Sequence, residues 1–433
     1  MPGFSLPNCA LGVATAATQI EGGDLDTNWH RWAAAGRIHD GSSPIRAADH
    51  WNRVGQDTAL LSALGIRNYR MGLEWARLEP VGGQFDSDAF AHYRDELTRL
   101  RDAGITPLVT LHHFSLPGWF EDAGGWLAPS AVRTFLRFVE KVVAELGELV
   151  DEWITINEPS VQAVKGYVYG EWPPGERSLP RTIAVLQTLV EAHIAAYLLI
   201  HELQPQALVG QAHHLRVFRR KQRFNPLHAL ATVGGRHLFQ GVVVRAAGTG
   251  RFLAPLRTPR GVRPGRYYDF QAINYYTRNT VRGIADEMAT GVPVNDLGWE
   301  VYPPGLVELA AWVHLLCPGP IWITENGTCD AADAFRSRYI YEHLAVIAAS
   351  DLPIERYYHW CFTDNWEWAE GEAAKFGLVK LDFATQERTV KESGRFYADV
   401  IAHRGVTPAA YDRWVADQRY PISAGRTVGH PAP

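Results

Sequence analysis

The sequence predicts a (β/α)8 barrel, and three observations carry that prediction. Eight short apolar, β-rich runs alternate with longer stretches of helical period, the pattern of βα units around a parallel sheet. The 433 residues divide into about 54 per unit, which suits a barrel enlarged by loops. The fourth and seventh runs each stop abruptly at a glutamate, and these two glutamates stand 167 residues apart, or three such units.

Taken in order, the strands are expected to begin near Asn8, Ile66, Ile105, Val150, Ala207, Phe270, Ile321 and Ile354. Helical segments between them include Asp88–Ala103, Ala131–Leu146, Thr182–Leu203, Leu306–Leu316 and Val390–His403. In Ala131–Leu146 the apolar residues Phe135, Phe138, Val139, Val142, Val143 and Leu146 fall on one face of a 3.6-residue period. Pro303-Pro304-Gly305 precedes the Leu306 helix, and a proline in a first turn loses no helical hydrogen bond. One barrel domain is expected over residues 1–433, with a catalytic core of about 8–405 and a C-terminal extension over 406–433.

Composition narrows the function classes. The net charge is −5, from 42 basic and 47 acidic residues, which argues against a nucleic-acid partner because phosphates require a basic face. The apolar runs fall short of the ~20 residues of a membrane span, so no membrane partner is expected. At the N-terminus, Met1-Pro2-Gly3-Phe4-Ser5 has no basic stretch followed by an apolar run, so a cytoplasmic location is expected. Cys9, Cys317, Cys329 and Cys361 form no C-x-x-C pair and read as reduced core residues. The adjacent pairs His112-His113 and His213-His214 point to opposite faces of a strand and make no metal constellation. No metal and no cofactor are expected. The run from Arg216 to Arg223 carries five positive charges in eight residues. It reads as a solvated loop or helix face, with an anionic partner as the sharper alternative.

Barrel active sites lie at the C-terminal ends of the strands. The fourth strand ends in Asn157-Glu158-Pro159 and the seventh in Glu325-Asn326-Gly327. Two carboxylates on opposite sides of one mouth suit acid/base chemistry on a small substrate. The other strand ends offer Gln19 and Glu21, Arg70 and Glu74, His112-His113, Asn274-Tyr275-Tyr276, and Trp360 followed by Asp364 through Trp368. Polar groups interleaved with tryptophan suit a sugar, whose hydroxyls take hydrogen bonds while its C–H face stacks on a ring. Most of the 15 tryptophans are nonetheless expected to pack in the core.

The strings A-T-A-A-T-Q-I-E-G, T-I-N-E-P, I-N-Y-Y-T, G-W-E-V-Y-P-P-G-L, I-T-E-N-G and D-N-W-E-W-A-E-G, in this order from about Leu11 to Phe383, resemble glycoside hydrolase family 1, the β-glucosidase/β-glycosidase family. The resemblance implies that Glu158 is the general acid/base and Glu325 the nucleophile of a retaining mechanism, with carboxyl groups ~5–5.5 Å apart. The charge on Glu325 would then keep Glu158 protonated near neutral pH until the sugar neutralises it. Arg70 and Tyr276 would hold the nucleophile, and Asn157 would meet the sugar 2-hydroxyl. Gln19, His113, Glu367 and Trp368 would take the remaining hydroxyls, above a stacking platform at Trp360. Asn274 and Trp299 would lie toward the aglycone. An acidic Glu367 argues against 6-phosphorylated sugars.

The expected activity is exo-hydrolysis of β-O-glycosides, β-glucosides first and β-galactosides or β-fucosides as well. The expected partner is a small carbohydrate or an aryl or alkyl β-glycoside. The alternatives are a transglycosylase and a sugar-binding barrel without turnover. Several positions depart from the family pattern, among them Phe114, Ser115, Trp366 and Lys375, and Arg216–Arg266 matches it least.

Overall fold

The computed structural model describes residues 2–220, 224–282, 285–287 and 289–424. Eight parallel strands form its centre: β1 (Ala10–Ala14), β2 (Asn68–Gly72), β3 (Thr106–Thr110), β4 (Glu152–Asn157), β5 (Leu208–Arg220), β6 (Gln271–Arg282), β7 (Ile321–Asn326) and β8 (Ile354–Trp360). Each pairs with its sequence neighbours, β8 returns to β1, and the β5–β6 pairing completes a closed (β/α)8 barrel. The eight expected strand starts all fall within two residues of these bounds.

The strands are legible because both of their faces are buried, so they read as continuous apolar runs. One core lies between the strands and the surrounding helices; a second fills the barrel interior with Leu108, Ile154, Ala212, Trp322 and Tyr358. At the floor of that interior, Phe270 and Trp322 stack at 3.6 Å, and Arg356 forms an ion pair with Glu152 across the barrel. The Ala131–Leu146 helix has the predicted bounds, and all six of its named apolar residues are buried. The helix Leu179–Leu203 is long and apolar enough to cross a membrane by length and composition, which the sequence reading did not expect. Half of that apolar window is buried inside the protein, where the helix packs as one of the barrel's outer layer.

Residues beyond the core reach back to it. Gly405–Val406 pairs with Phe4–Ser5, the helix Pro408–Trp414 follows, and Ile422 bridges to Pro293. All four cysteines are free and buried. The basic run departs from expectation: Arg216–Arg220 is neither loop nor helix but a continuation of β5 past the barrel rim, paired with β6. Its remaining residues, 221–223, lie outside the described residues.

Candidate active site

The ends of β4 and β7 face each other across the barrel mouth. Glu158 leaves β4 with φ 45° and ψ 58°, a left-handed conformation, and Pro159 opens the next helix immediately after it. A non-glycine residue held there stores backbone strain, which only a well-determined surrounding maintains. Phe114 (φ 67°) and Trp368 (φ 49°) share this conformation and line the same pocket. Glu325 is the penultimate residue of β7, two residues before Gly327. A Cβ at Gly327 would lie 1.8 Å from the Trp360 carbonyl oxygen, so glycine is what lets the ends of β7 and β8 approach.

A buried polar relay connects the two carboxylates. Asn274 Nδ2 donates to Glu158 Oε1 at 2.7 Å and to Asn157 Oδ1 at 3.0 Å. Arg70 donates to the same Asn157 oxygen at 2.7 Å and to Glu325 Oε1 at 2.5 Å. Tyr276 Oη donates to Glu325 Oε2 at 2.6 Å, and Thr324 Oγ1 donates to Asn274 Oδ1 at 2.7 Å. Two donors on Oδ1 fix the Asn157 amide, so its Nδ2 donates to His113 Nε2 at 3.0 Å. Burial and the nearby Arg70 hold the His113 pKa well below its ordinary value. The ring is therefore neutral, with its proton on Nδ1, which is buried and has no partner among the described residues.

Burial and the Glu158 carboxylate raise the Glu325 carboxyl, while Arg70 and the Tyr276 hydroxyl lower it; the balance stands at about 7. Burial, with a further push from Glu325, takes the Glu367 carboxyl to about 8, so it carries less charge near neutrality than the sequence suggests. Glu367 accepts from Gln19 Nε2 at 3.0 Å, and Gln19 Oε1 is buried with no partner among the described residues.

The pocket above the carboxylates is lined by His113, Tyr276, Trp299, Trp360, Glu367 and Trp368, all expected from the sequence. Gln19, Arg70, Asn157 and Asn274 are fully buried behind that lining. Asn274, expected nearer the aglycone, points from β6 into the barrel, where its amide bonds Glu158. Trp299 meets Tyr276 edge-on at 5.9 Å, and Trp360 and Trp368 lie nearly parallel to the His113 ring.

Other lining residues were missed. Trp172, assigned to packing, meets Phe114 at 4.9 Å and Trp368 at 6.0 Å on the pocket wall. Lys165 and Glu171 form an ion pair at 2.5 Å, and His39 bonds Glu370 at 3.0 Å. His214 is buried, stacks on Tyr276, and places Nδ1 3.4 Å from Glu158 Oε1. The alternation of His213 and His214 signalled that one of the pair faces inward, but nothing in the sequence said that it would meet the carboxylate. Among the described residues, no group of three or more His, Cys, Asp or Glu could hold a metal ion.

Comparison with known proteins follows the same outline. The model of glycosyl hydrolase family 1 matches residues 7–231 and 266–406. Beta-glucosidase A of Thermotoga maritima is 29% identical, over 91% of this chain and 97% of its own. A beta-glucosidase of Agrobacterium sp. is 30% identical, over 90% of this chain and 93% of its own. Among solved structures, the beta-glycosidase from Pyrococcus horikoshii superposes with a TM-score of 0.88 at 31% identity, covering 96% of this chain and 98% of that one.

Proposed function

The chain belongs to glycosyl hydrolase family 1, and from that premise we propose that it is a retaining exo-β-glycosidase in which Glu325 attacks and Glu158 moves the proton. One observation supports the assignment above the others: the two carboxylates are held unequally. Glu325 receives a guanidinium and a phenol, one on each oxygen, whereas Glu158 is met at Oε1, by the Asn274 amide at 2.7 Å and by His214 Nδ1 at 3.4 Å. A carboxylate gripped at both oxygens is aimed for attack, and one held at a single oxygen keeps the other for the proton it transfers, the division of labour that double displacement requires.

In the first step Glu325 forms a bond to the anomeric carbon while Glu158 protonates the departing oxygen. Having given up its proton, Glu158 is now the carboxylate the second step needs, and Glu325 is neutral while it carries the sugar. Glu158 then removes a proton from water, which breaks the glycosyl–enzyme bond with net retention. His113, Gln19 and Glu367 take the sugar's hydroxyls, Trp360 its C–H face, and Asn157, with one N–H still unused, the 2-hydroxyl. Trp172, Trp299 and Phe114 leave an apolar wall for the aglycone. β-Glucosides are the favoured substrates, with β-galactosides and β-fucosides accepted.

Variants of the two glutamates test the roles. Glu325→Ala should lose turnover of an aryl β-glucoside, and azide should restore it by giving the inverted glycosyl azide. Glu158→Ala should still glycosylate from a good leaving group, with azide giving the retained product. Near wild-type rates in both variants would overturn the assignment. Product analysis with an added alcohol separates hydrolysis from transfer, and aryl galactoside and fucoside rates test the sugar range.

A further inference from the structure

The basic run belongs to a larger asymmetry. From Arg216 to Arg266 the chain carries twelve Arg or Lys residues and no Asp or Glu, in a protein whose net charge is −5. The family model leaves residues 232–265 of this stretch unmatched. Within it lies the helix Pro226–Arg236, none of whose residues is buried. Leu227 (71% exposed), Leu230 (71%) and Val233 (66%) recur every third residue, covering an arc of about 120° on its surface. Leu238 (52%), just past the helix, is exposed as well. Such a patch, held by no core, marks an interaction site.

The stretch is tied to the active site. Arg219 and Arg220 are exposed at the end of the extended β5, beside Phe218, and Phe218 packs on Phe239, which in turn packs edge-on against His214. His214 is the residue 3.4 Å from the Glu158 carboxylate. At ~3.3 Å per residue, the six residues from His214 to Arg220 place the basic strand end roughly 20 Å from the acid/base.

We propose that the Pro226–Arg236 helix and the adjoining basic strand end form a docking surface for an anionic lipid bilayer, presenting β-glycosides with lipid or long alkyl aglycones to the pocket. Arginines flanking an exposed aliphatic stripe are what an interfacial helix needs: the apolar side chains enter the acyl boundary while the cations meet anionic headgroups. A polyanion such as nucleic acid would use the arginines and leave the stripe in water. A second copy would bring one basic surface against another, with repulsion across a symmetric interface. The expectation of no membrane partner rested on the absence of a spanning run, and this surface lies on a membrane without spanning it. The docking surface stands on its own geometry; only the substrate class rests on the proposed glycosidase reading.

The test is co-sedimentation of the full chain with phosphatidylcholine vesicles, with and without roughly a third phosphatidylglycerol. Binding is expected to the anionic vesicles and to weaken as salt rises. Arg219→Glu with Arg220→Glu, and separately Leu227→Asp with Leu230→Asp, should each lower binding about ten-fold or more. Hydrolysis of a water-soluble aryl glucoside and the melting temperature should remain at wild-type values. Anionic vesicles should also accelerate turnover of a long-chain alkyl β-glucoside and not of the aryl one.

No binding to anionic vesicles, or binding that neither pair of substitutions changes, overturns the proposal. So does retention on heparin or DNA, without vesicle binding, that only the arginine variant loses. A dimer in light scattering that the leucine variant splits, again without vesicle binding, overturns it in favour of self-association. A chain that binds the vesicles but hydrolyses no β-glycoside keeps the docking surface and refutes the glycosidase reading instead.

Discussion

Tyr276→Phe removes one oxygen from the site and nothing else. The phenol donates to Glu325 Oε2 at 2.6 Å, and both residues are buried. A phenylalanine ring keeps the contacts with His214, Trp299 and Phe376. A hydrogen bond to a charged group contributes about 1.5–3 kcal/mol, and each 1.36 kcal/mol is tenfold in rate, so kcat/KM should fall roughly ten- to a hundred-fold. The pH profile should move as well. The hydroxyl is one of the groups holding the Glu325 carboxyl down to about 7 against burial, so its loss raises that pKa. Attack requires the ionised carboxylate, and a raised pKa leaves less of it at a given pH, so the acid limb of kcat/KM should shift to higher pH. Because the two glutamates interact, the limb belongs to the pair. The assay is initial rates on an aryl β-glucoside across pH, with circular dichroism to confirm the fold. A kcat/KM close to wild type with an unmoved acid limb would refute the reasoning.

Two further predictions concern stability. His50 bridges Asp57 at 2.8 Å and Glu96 at 2.9 Å; burial lowers its pKa, but the two carboxylates outweigh burial and push it up to about 10. With an unfolded value of ~6.5, this stabilisation is complete below that pH and is lost as pH rises through about 10. Thermal melts of wild type should therefore fall on the alkaline side, and His50→Gln should flatten that fall and cost about 3–5 kcal/mol at neutral pH, read from denaturant melts. Gly327→Ala should reduce folded yield or displace the end of β8 enough to lose activity, since the new methyl would meet a backbone oxygen that cannot swing aside; a normal melt with normal turnover would show that the approach is looser than the structure has it.

What the sequence made legible follows from where each residue sits. The barrel strands and the Ala131–Leu146 helix were readable because burial on two faces, or on one helical face, leaves a period in the residue types themselves. Glu158 and Glu325 were readable because a carboxylate that closes an apolar strand has no packing reason to be there. Trp172 was not readable: it stands on a loop, and whether a loop tryptophan turns toward the core or the pocket depends on the path of the chain around it. The bond from Asn274 to Glu158 was not readable, because strand alternation says that the side chain points inward, not which neighbour it meets there. Beyond the barrel rim, β5 loses its buried faces and with them its apolar signature, so Arg216–Arg220 looked like a loop or helix.

The amide of Asn157, pinned by Arg70 and Asn274, has a consequence at the far end of its hydrogen bond. It leaves His113 able only to give a proton from Nδ1, while Gln19 Oε1, with no partner among the described residues, is able only to receive one. A sugar hydroxyl has both abilities, but fluorine has one: it accepts weakly and never donates. Fluorine in place of the hydroxyl that meets His113 should be tolerated, and in place of the one that meets Gln19 it should not. A set of monofluorinated aryl glucosides would therefore report, position by position, the direction in which hydrogen bonds run through this site, which no substitution in the protein reads directly.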